Sequence, residues 1–282
     1  MAEETLEQTR APANGNRATP AVLLEVAEAG VLTLTMNRPE ARNALSLGLM
    51  QALIDRLRRA GEDKDVRAVV LRGAGPAFCA GHDLKEMTAH RADADRGEAH
   101  FREVFATCSE LMTLIPALPI PVIAEVHGIA SAAGCQLVAS ADLAVAAETA
   151  RFATPGVNIG LFCSTPMVAL SRAVSNKHAM EMLLTGSPIQ AARAEQMGLV
   201  NRVVAEAELV GAVRALAGTI ATKSAASIAY GKPAFYAQKP LDLAAAYTLA
   251  AGVMTENMLD AAADEGIGAF IAKRPPDWPE RS

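Results

Sequence analysis

The segment PVIAEVHGIASAAGCQ, from Pro121 to Gln136, combines a predicted strand, a turn and the start of a helix. Its first six residues are mainly apolar and partly β-branched, which predicts a buried strand from Pro121 to Val126. The residues from Gly128 to Gly134 are mostly small and let a ligand approach the backbone closely. Because a helix N-terminus carries unpaired N–H groups, this corner favours an anion-binding site, although tight strand–helix packing explains the same residues.

A second segment of the same type is AFCAGHDLKEM, from Ala77 to Met87. It passes from an apolar approach through Ala80-Gly81-His82 to a predicted helix start at Asp83. When two backbone N–H groups from separate helix starts converge, they form an oxyanion hole that stabilises negative charge on a carbonyl oxygen. The sequence contains two suitable corners and does not show that they converge.

The rest of the chain alternates strands, turns and helices at first, and then continues with helices. Two strands in a hairpin-like arrangement are predicted over Ala21–Val26 and Val31–Met36, and Ser46 is expected to cap the next helix. This order predicts an α/β core over residues 21–205 and a helical C-terminal region over residues 206–282.

The composition argues against several classes of function. The chain has 282 residues, of which 51% are hydrophobic and 20% charged, with a net charge of −5. Nothing in this balance favours binding to nucleic acid or to an anionic membrane surface, and no apolar run reaches the roughly 18 residues of a membrane span. Residues 1–20 are expected to form a disordered tail. Because they lack the pattern of a secretion signal or an organelle transit peptide, a cytoplasmic protein is predicted.

The four cysteines have no metal-ligand spacing and lie among apolar or small neighbours. They are Cys79, Cys108, Cys135 and Cys163. In a chain of this size, this pattern predicts buried thiols rather than a disulfide framework or a zinc site. No metal site is therefore predicted.

Three motifs, taken in order, resemble the enoyl-CoA hydratase/isomerase (crotonase) superfamily. They are NRPEARNALS, AFCAGHDLKEM and PVIAEVHGIASAAGCQLVASADLAVAAETARFATP. The resemblance runs from about Val22 to Leu199, and the segment EGIGAFIAKRPPDW is similar to the last helix of the family. It implies a spiral of ββα units, with C-terminal helices that build a homotrimer or a dimer of trimers. It also implies an acyl-CoA thioester as the ligand, with coenzyme A as part of the substrate and no separate cofactor.

The same resemblance assigns two backbone oxyanion donors, His82 and Ala133, at positions where many members have alanine and glycine. Because a main-chain N–H survives both changes, His82 is interpreted as a backbone donor rather than as a catalytic imidazole. The implied coenzyme A contacts are Arg42, Asn43, Ala44, Ala80, Asp83, Leu84, Lys85, Lys273 and Arg274. Cations suit a polyanionic ligand. Lys273 and Arg274 are equally compatible with solvated surface charges.

The chain departs from the family at the two glutamates with which its hydratases activate water. Gln136 stands at the first position and Gly156 at the second, so neither position carries a general base. The resemblance therefore predicts addition of water to a 2-enoyl-CoA without the usual acid–base pair, with Gln136 as a candidate for orienting the water. Two alternatives stay open. One is another acyl-CoA reaction, such as isomerisation or thioester hydrolysis, and the other is a catalytically silent acyl-CoA binder.

Several other polar side chains are candidates to replace the missing glutamates, and each is better explained by a structural or surface role. On the relevant loops these are Ser131, Asn158, Cys163 and Ser164. On the segment that follows the first corner they are Glu86, His90 and Glu110, and Asp142 is expected to be a structural carboxylate.

Overall fold

The computed structural model describes residues 21–279, and the predicted disordered tail over residues 1–20 lies outside that range. Nine strands are found in this range: β1 (Leu23–Glu28), β2 (Val31–Met36), β3 (Ala68–Gly73), β4 (Val122–Val126), β5 (Ile129–Ser131), β6 (Leu143–Ala147), β7 (Arg151–Ala153), β8 (Ile189–Gln190) and β9 (Arg202–Val204). The α-helices there are α1 (Leu47–Glu62), α2 (Leu84–Ala89), α3 (Glu98–Ala117), α4 (Ala133–Ser140), α5 (Ser164–Ala173), α6 (Asn176–Thr185), α7 (Ala191–Met197), α8 (Leu209–Ala221), α9 (Ala225–Gln238), α10 (Leu243–Met258) and α11 (Ala261–Ile271). The order agrees with the predicted α/β class.

Six strands form the main sheet, in the order β1, β2, β3, β4, β6 and β9. β1 pairs antiparallel with β2, and the other neighbours are parallel. Parallel neighbours need long crossover connections, which explains the helices between successive strands. Every residue of β4 is buried, as expected of a central strand covered on both faces.

A second row of short pairings gives the fold its repeat. β5, β7 and β8 form a three-stranded sheet, and isolated parallel bridges join Leu45 to His82 and Cys79 to Ala130. Each unit therefore adds a strand to the main sheet, then a short extended segment to the second row, then a helix. The units begin at β2, β3, β4 and β6 and end in α1, α2, α4 and α5. This is the repeated ββα arrangement of the predicted crotonase-like fold.

The main core lies between the sheet and the helices α1 and α3. Ser46 caps α1 as predicted, because its hydroxyl accepts the N–H of Leu49 at 3.3 Å. The other face of the sheet is covered by α8, whose Leu209, Val213 and Ala217 pack in a buried cluster with β3, β4 and β6. The boundary between residues 205 and 206 stays a prediction, and α8, which follows it, packs on the core sheet.

Helix α9 of the C-terminal region is joined to the core by a buried ionic network. The ammonium of Lys232 in α9 donates to Asp142 at 2.7 Å and to the carbonyls of Ile115 and Ile120 at 2.8 and 2.7 Å. The hydroxyl of Tyr236 also donates to Asp142, at 2.8 Å. Asp142 therefore has the structural role predicted for it.

Apolar side chains on α10, on α11 and in the turn between them remain exposed in the single chain. Leu243 is 75% exposed, Leu259 82% and Phe270 84%. Large exposed apolar surfaces are typical of faces that pack against another protein. The homotrimer or dimer of trimers implied by the family resemblance stays a prediction that this surface favours.

Candidate active site

The two strand–turn–helix corners lie against each other. The N–H of Ser131 donates to the carbonyl of Cys79 at 2.9 Å, and the N–H of Cys79 donates to the carbonyl of Ile129 at 3.1 Å. A β-carbon placed on Gly81 would lie 3.5 Å from the backbone nitrogen of Ala133. The peptide that leads into His82 is thus directly beside the N-terminus of α4.

Glycine is required where the corners meet. A β-carbon on Gly134 would lie 2.2 Å from the carbonyl oxygen of Cys79, so no side chain fits there. Gly81 has a φ of 104°, which side chains of L-residues rarely allow. Ala132 has a φ of 49° and a ψ of −114° although it is not glycine, and such strain costs about 1–3 kcal/mol. This geometry explains the run of small residues in the sequence.

Two backbone donors in these corners are unpaired. Among residues 21–279, neither the N–H of His82 nor that of Ala133 has a hydrogen-bond acceptor. Ala133 is the first residue of α4, where N–H groups have no partner within the helix and the helix dipole is positive. Oxyanion holes are built from unpaired backbone donors of this kind. Their assignment to a ligand remains a proposal.

The side chain of His82 packs on Phe105 of α3. The two rings meet edge to face with 5.5 Å between centroids, and Nε2 of His82 is buried without a hydrogen-bond partner among the described residues. Burial lowers the pKa of His82 to about 4, so the imidazole is neutral at neutral pH. A buried neutral ring agrees with the interpretation of His82 as a backbone donor. Sequence analysis does not connect Phe105 with the site.

The corner at residues 80–86 is held by charged side chains. Asp83 caps α2 by accepting the N–H groups of Lys85 and Glu86, and its other oxygen accepts from Arg38 at 2.8 Å. Burial opposes ionisation of Asp83, but the Arg38 guanidinium and the backbone donors outweigh it and lower the pKa. The carboxylate is therefore fully engaged within the chain. Sequence reasoning gives Arg38 no role, since its partner lies 45 residues away.

The other predicted coenzyme A contacts near this corner differ in how far they are exposed. Asn43 is fully buried: its amide donates to the carbonyls of Ala74 and Ala77, both at 2.8 Å, so its side chain shapes the loop. The carbonyl of Arg42 accepts the N–H of Ala80 at 3.0 Å, which brings the two predicted segments together. The remaining predicted contacts in this area are buried Ala44 and exposed Leu84 and Lys85.

Lys273 and Arg274 lie just beyond the end of α11. The guanidinium of Arg274 is already bound by both oxygens of Glu265, at 2.6 and 2.7 Å. Lys273 is exposed, and its ammonium has no partner in the part of the chain that the structure describes. Of the two residues, Lys273 is the one available to a phosphate group.

The positions of the two missing glutamates are surrounded by different contacts. Gln136 is buried, and its amide oxygen lies 3.8 Å from the sulfur of Cys108. At Gly156 the N–H donates to the sulfur of Cys163 at 3.3 Å. A β-carbon on Gly156 would lie 2.9 Å from the carbonyl oxygen of Leu161 and 3.0 Å from that sulfur. Cys163 thus occupies the space next to Gly156 that a side chain there would need.

The cysteines are buried free thiols, as predicted. Burial raises the pKa of Cys163, and it raises the pKa of Cys108 and of Cys135 to about 12. These thiols are therefore protonated at neutral pH and are poor bases. Within the described residues, no three His, Cys, Asp or Glu side chains are close enough to hold a metal ion. The predicted absence of a metal and of a separate cofactor stays a prediction.

The three acid–base candidates from the segment after the first corner are engaged elsewhere. Glu86 accepts the N–H of Leu47 at 3.2 Å, and the ring of His90 lies 2.8 Å from Asp93. Glu110 forms an exposed ion pair with Arg58 at 2.7 Å. These contacts agree with the structural and surface roles predicted for them.

Comparison with known proteins places this geometry in a family. The model of the enoyl-CoA hydratase/isomerase family matches residues 26–281. The chain belongs to this family. It is 47% identical to rat enoyl-CoA hydratase domain-containing protein 3, mitochondrial, over 88% of this chain and 81% of that protein.

Solved structures show the same fold. A crystal structure of an enoyl-CoA hydratase from Mycobacterium smegmatis has a TM-score of 0.87 and 51% identity, covering 92% of this chain and 99% of the other. The structure of human enoyl Coenzyme A hydratase domain-containing protein 3 has a TM-score of 0.87 and 43% identity, covering 92% and 100%. The predicted crotonase-like fold is therefore confirmed.

One prediction is corrected by the same comparison. The rat and human relatives are named as mitochondrial proteins, which contradicts the cytoplasmic localisation predicted from residues 1–20. The prediction was drawn from the composition of a terminal segment, whereas the compartment is decided by whether a receptor reads that segment as an address. Separately, no helix within residues 21–279 combines the length and hydropathy needed to cross a bilayer.

Proposed function

We propose that the chain binds an acyl-CoA thioester with its carbonyl oxygen between the N–H groups of His82 and Ala133, and adds water slowly to a 2-enoyl-CoA. The observation that carries this proposal is the adjacency of two corners that each have an unpaired N–H. The names of the relatives support the substrate class. Exposed Arg42, Lys85 and Lys273 are proposed to contact the coenzyme A portion.

The chemistry depends on charge that develops at the thioester oxygen. The oxygen of water bonds to the β-carbon, and the electrons of the double bond move towards the thioester oxygen to give an enolate. An O–H bond of that water then breaks, and a proton is delivered to the α-carbon as the enolate returns to the thioester. The two N–H donors stabilise that enolate, and losing one such donor typically costs about 2.7–4 kcal/mol. Binding and enolate stabilisation therefore need no ionisable side chain.

Proton transfer is expected to be the slow step in this site. Gln136 can accept a hydrogen bond from water and orient it, but it cannot take the proton. A positioned general acid or base typically contributes about 10²–10⁴ in rate. Turnover is therefore expected to be slower by roughly this factor than in a relative with two glutamates.

The test is turnover of crotonyl-CoA, followed by the loss of the conjugated thioester absorbance. The unmodified protein should exceed the uncatalysed background, Gln136→Glu should be faster, and the nearly isosteric Gln136→Leu should be slower. No turnover by the unmodified protein would rule out the hydratase proposal.

A catalytically silent acyl-CoA binder is the second candidate, and the contact between Gly156 and Cys163 favours it. Calorimetry with butyryl-CoA against free coenzyme A separates this candidate from a protein with no acyl site. Tighter binding of the ester without turnover of any ester would establish a silent binder. Mass spectrometry of a panel of CoA esters would reveal isomerisation or thioester hydrolysis in the same samples.

A further inference from the structure

A groove of about 560 Å³ opens along the first half of α3, beside the proposed thioester site. Its apolar wall is made by Phe101 and Phe105, which are four residues apart and therefore lie on one face of the helix, about 6 Å apart along the axis. Phe105 is also the residue that the ring of His82 contacts. The groove thus begins at the oxyanion corner and leads away from it along one turn of α3.

The far end of the groove is lined by cations that have no carboxylate partner. Arg91 lies over the ring of Phe101, 5.7 Å from its centroid, and Arg96 also lines the groove. Among the described residues, neither guanidinium forms an ion pair. Because the guanidinium fork matches the geometry of carboxylates and phosphates, two unpaired guanidinium groups beside an apolar wall suit an anionic ligand.

The acids that line the groove are already occupied. Both oxygens of Asp95 accept backbone N–H groups, from Gly97 and Ala99 at 2.9 Å each, and these bonds lower the pKa of Asp95. Glu98 is paired with Arg102 at 2.7 Å. Asp95 and Glu98 therefore do not neutralise Arg91 and Arg96 directly.

We infer that this groove binds the distal end of the acyl group, and that this end carries a carboxylate held by Arg91 and Arg96. The inference rests on the proposed function, since it places the thioester at His82 and Ala133. The methylene chain would lie against Phe105 and Phe101, and the terminal carboxylate would meet the two guanidinium groups. The preferred substrate class is then the mono-CoA ester of a dicarboxylic acid.

The experiment compares matched esters by calorimetry with the full-length protein. Glutaryl-, adipoyl-, suberoyl- and sebacoyl-CoA carry a terminal carboxylate, and pentanoyl-, hexanoyl-, octanoyl- and decanoyl-CoA are their uncharged counterparts. At the length that spans the groove, the carboxylated ester should bind roughly ten-fold more tightly than its counterpart. This preference should shrink at high salt, since the groove is open to solvent.

Variants assign the preference to the two arginines. The double variant Arg91→Gln/Arg96→Gln should lose the preference and keep its affinity for the uncharged esters, whereas Arg91→Lys/Arg96→Lys should retain part of it. Arg102→Gln is the matched control in the same groove, because Arg102 is already paired with Glu98. It should keep most of the preference.

The outcomes separate the two proposals. If both kinds of ester bind equally at every length, the inference is overturned and the proposed function stands. If the preference survives the double glutamine variant, the assignment to Arg91 and Arg96 is wrong. If no CoA ester binds, the proposed function fails and the inference fails with it.

Discussion

The two corners of the candidate site have the same backbone plan and are held by different interactions. At residues 80–86 the corner depends on charge, through the pair of Arg38 with Asp83 and the cap that Asp83 gives α2. At residues 131–136 no side chain is charged, and the corner depends on Gly134 lying against the carbonyl of Cys79. One site thus combines an electrostatic support with a steric one. The two halves should therefore fail under different changes.

The largest effect is expected from the steric corner. Gly134→Ala would place a β-carbon 2.2 Å from the carbonyl oxygen of Cys79, where backbone on both sides has no room to move. We expect a loss of about 3 kcal/mol in the free energy of unfolding, measured by urea denaturation. The matched control is Gly211→Ala, since Gly211 is an exposed helical glycine with no atom near its β position. That change should be neutral or stabilise by up to about 1 kcal/mol. Equal effects of the two changes would show that the corner is not tightly packed.

A smaller effect is expected from the charged corner. Asp83→Ala removes the cap of α2 and leaves Arg38 without its partner, so we expect a loss of about 2 kcal/mol in the free energy of unfolding. Asp83→Asn keeps a capping oxygen and removes only the charge, so it should cost about half as much. Urea denaturation of both variants at neutral pH measures the two contributions. An equal loss in both would mean that the cap contributes nothing.

The ion pair of Arg38 with Asp83 should make the free energy of unfolding depend on pH, whereas the corner held by Gly134 should not. Because the pKa of Asp83 is lowered in the folded protein, its stabilisation is present above the ordinary value of 3.8 and is lost as the pH falls through the folded value. The difference in stability between the unmodified protein and Asp83→Asn should therefore shrink as the pH is lowered towards 3. The deficit of Gly134→Ala should stay constant over that range. A constant difference for Asp83→Asn would contradict the assigned shift.

The features of the fold that the sequence predicts well are those with a local signal. The apolar run of β4 and the cap at Ser46 are examples, and both corners are visible in their small residues. β5 is missed because Ile129–Ser131 is short and reads as part of a turn. Its extended form depends on pairing with β7 and on the bridge between Ala130 and Cys79.

The features of the site that escape the sequence are contacts between distant residues. The pair of Arg38 with Asp83 spans 45 residues, and the packing of His82 on Phe105 joins a loop to a helix face. The glycine at position 156 is enough to show that an acid is missing there. Only the structure shows that the side chain of Cys163 fills the space beside Gly156. Residue type thus predicts which acidic side chains are missing. The packing around these positions decides whether an acidic side chain would fit there.

The smallest effect is expected at His82, the proposed oxyanion donor of the charged corner. His82→Leu keeps the backbone N–H and the contact with Phe105, and it removes a buried Nε2 that has no partner among the described residues. At neutral pH we expect a change below about 1 kcal/mol in the free energy of unfolding and unchanged affinity for butyryl-CoA.

At acidic pH, the free energy of unfolding of His82→Leu should differ from that of the unmodified protein. The pKa of His82 is lowered from 6.5 to about 4 by burial, so the unfolded chain binds the proton more readily than the folded protein between those values. The unmodified protein should therefore lose up to about 1.4 kcal/mol for each pH unit between 6.5 and about 4, and the leucine variant should be spared this loss. Urea denaturation at pH 7 and pH 5 measures this loss.

If His82→Leu instead abolished turnover of crotonyl-CoA while leaving affinity intact, the imidazole would be a catalytic group, and the interpretation of His82 as a backbone donor would be wrong.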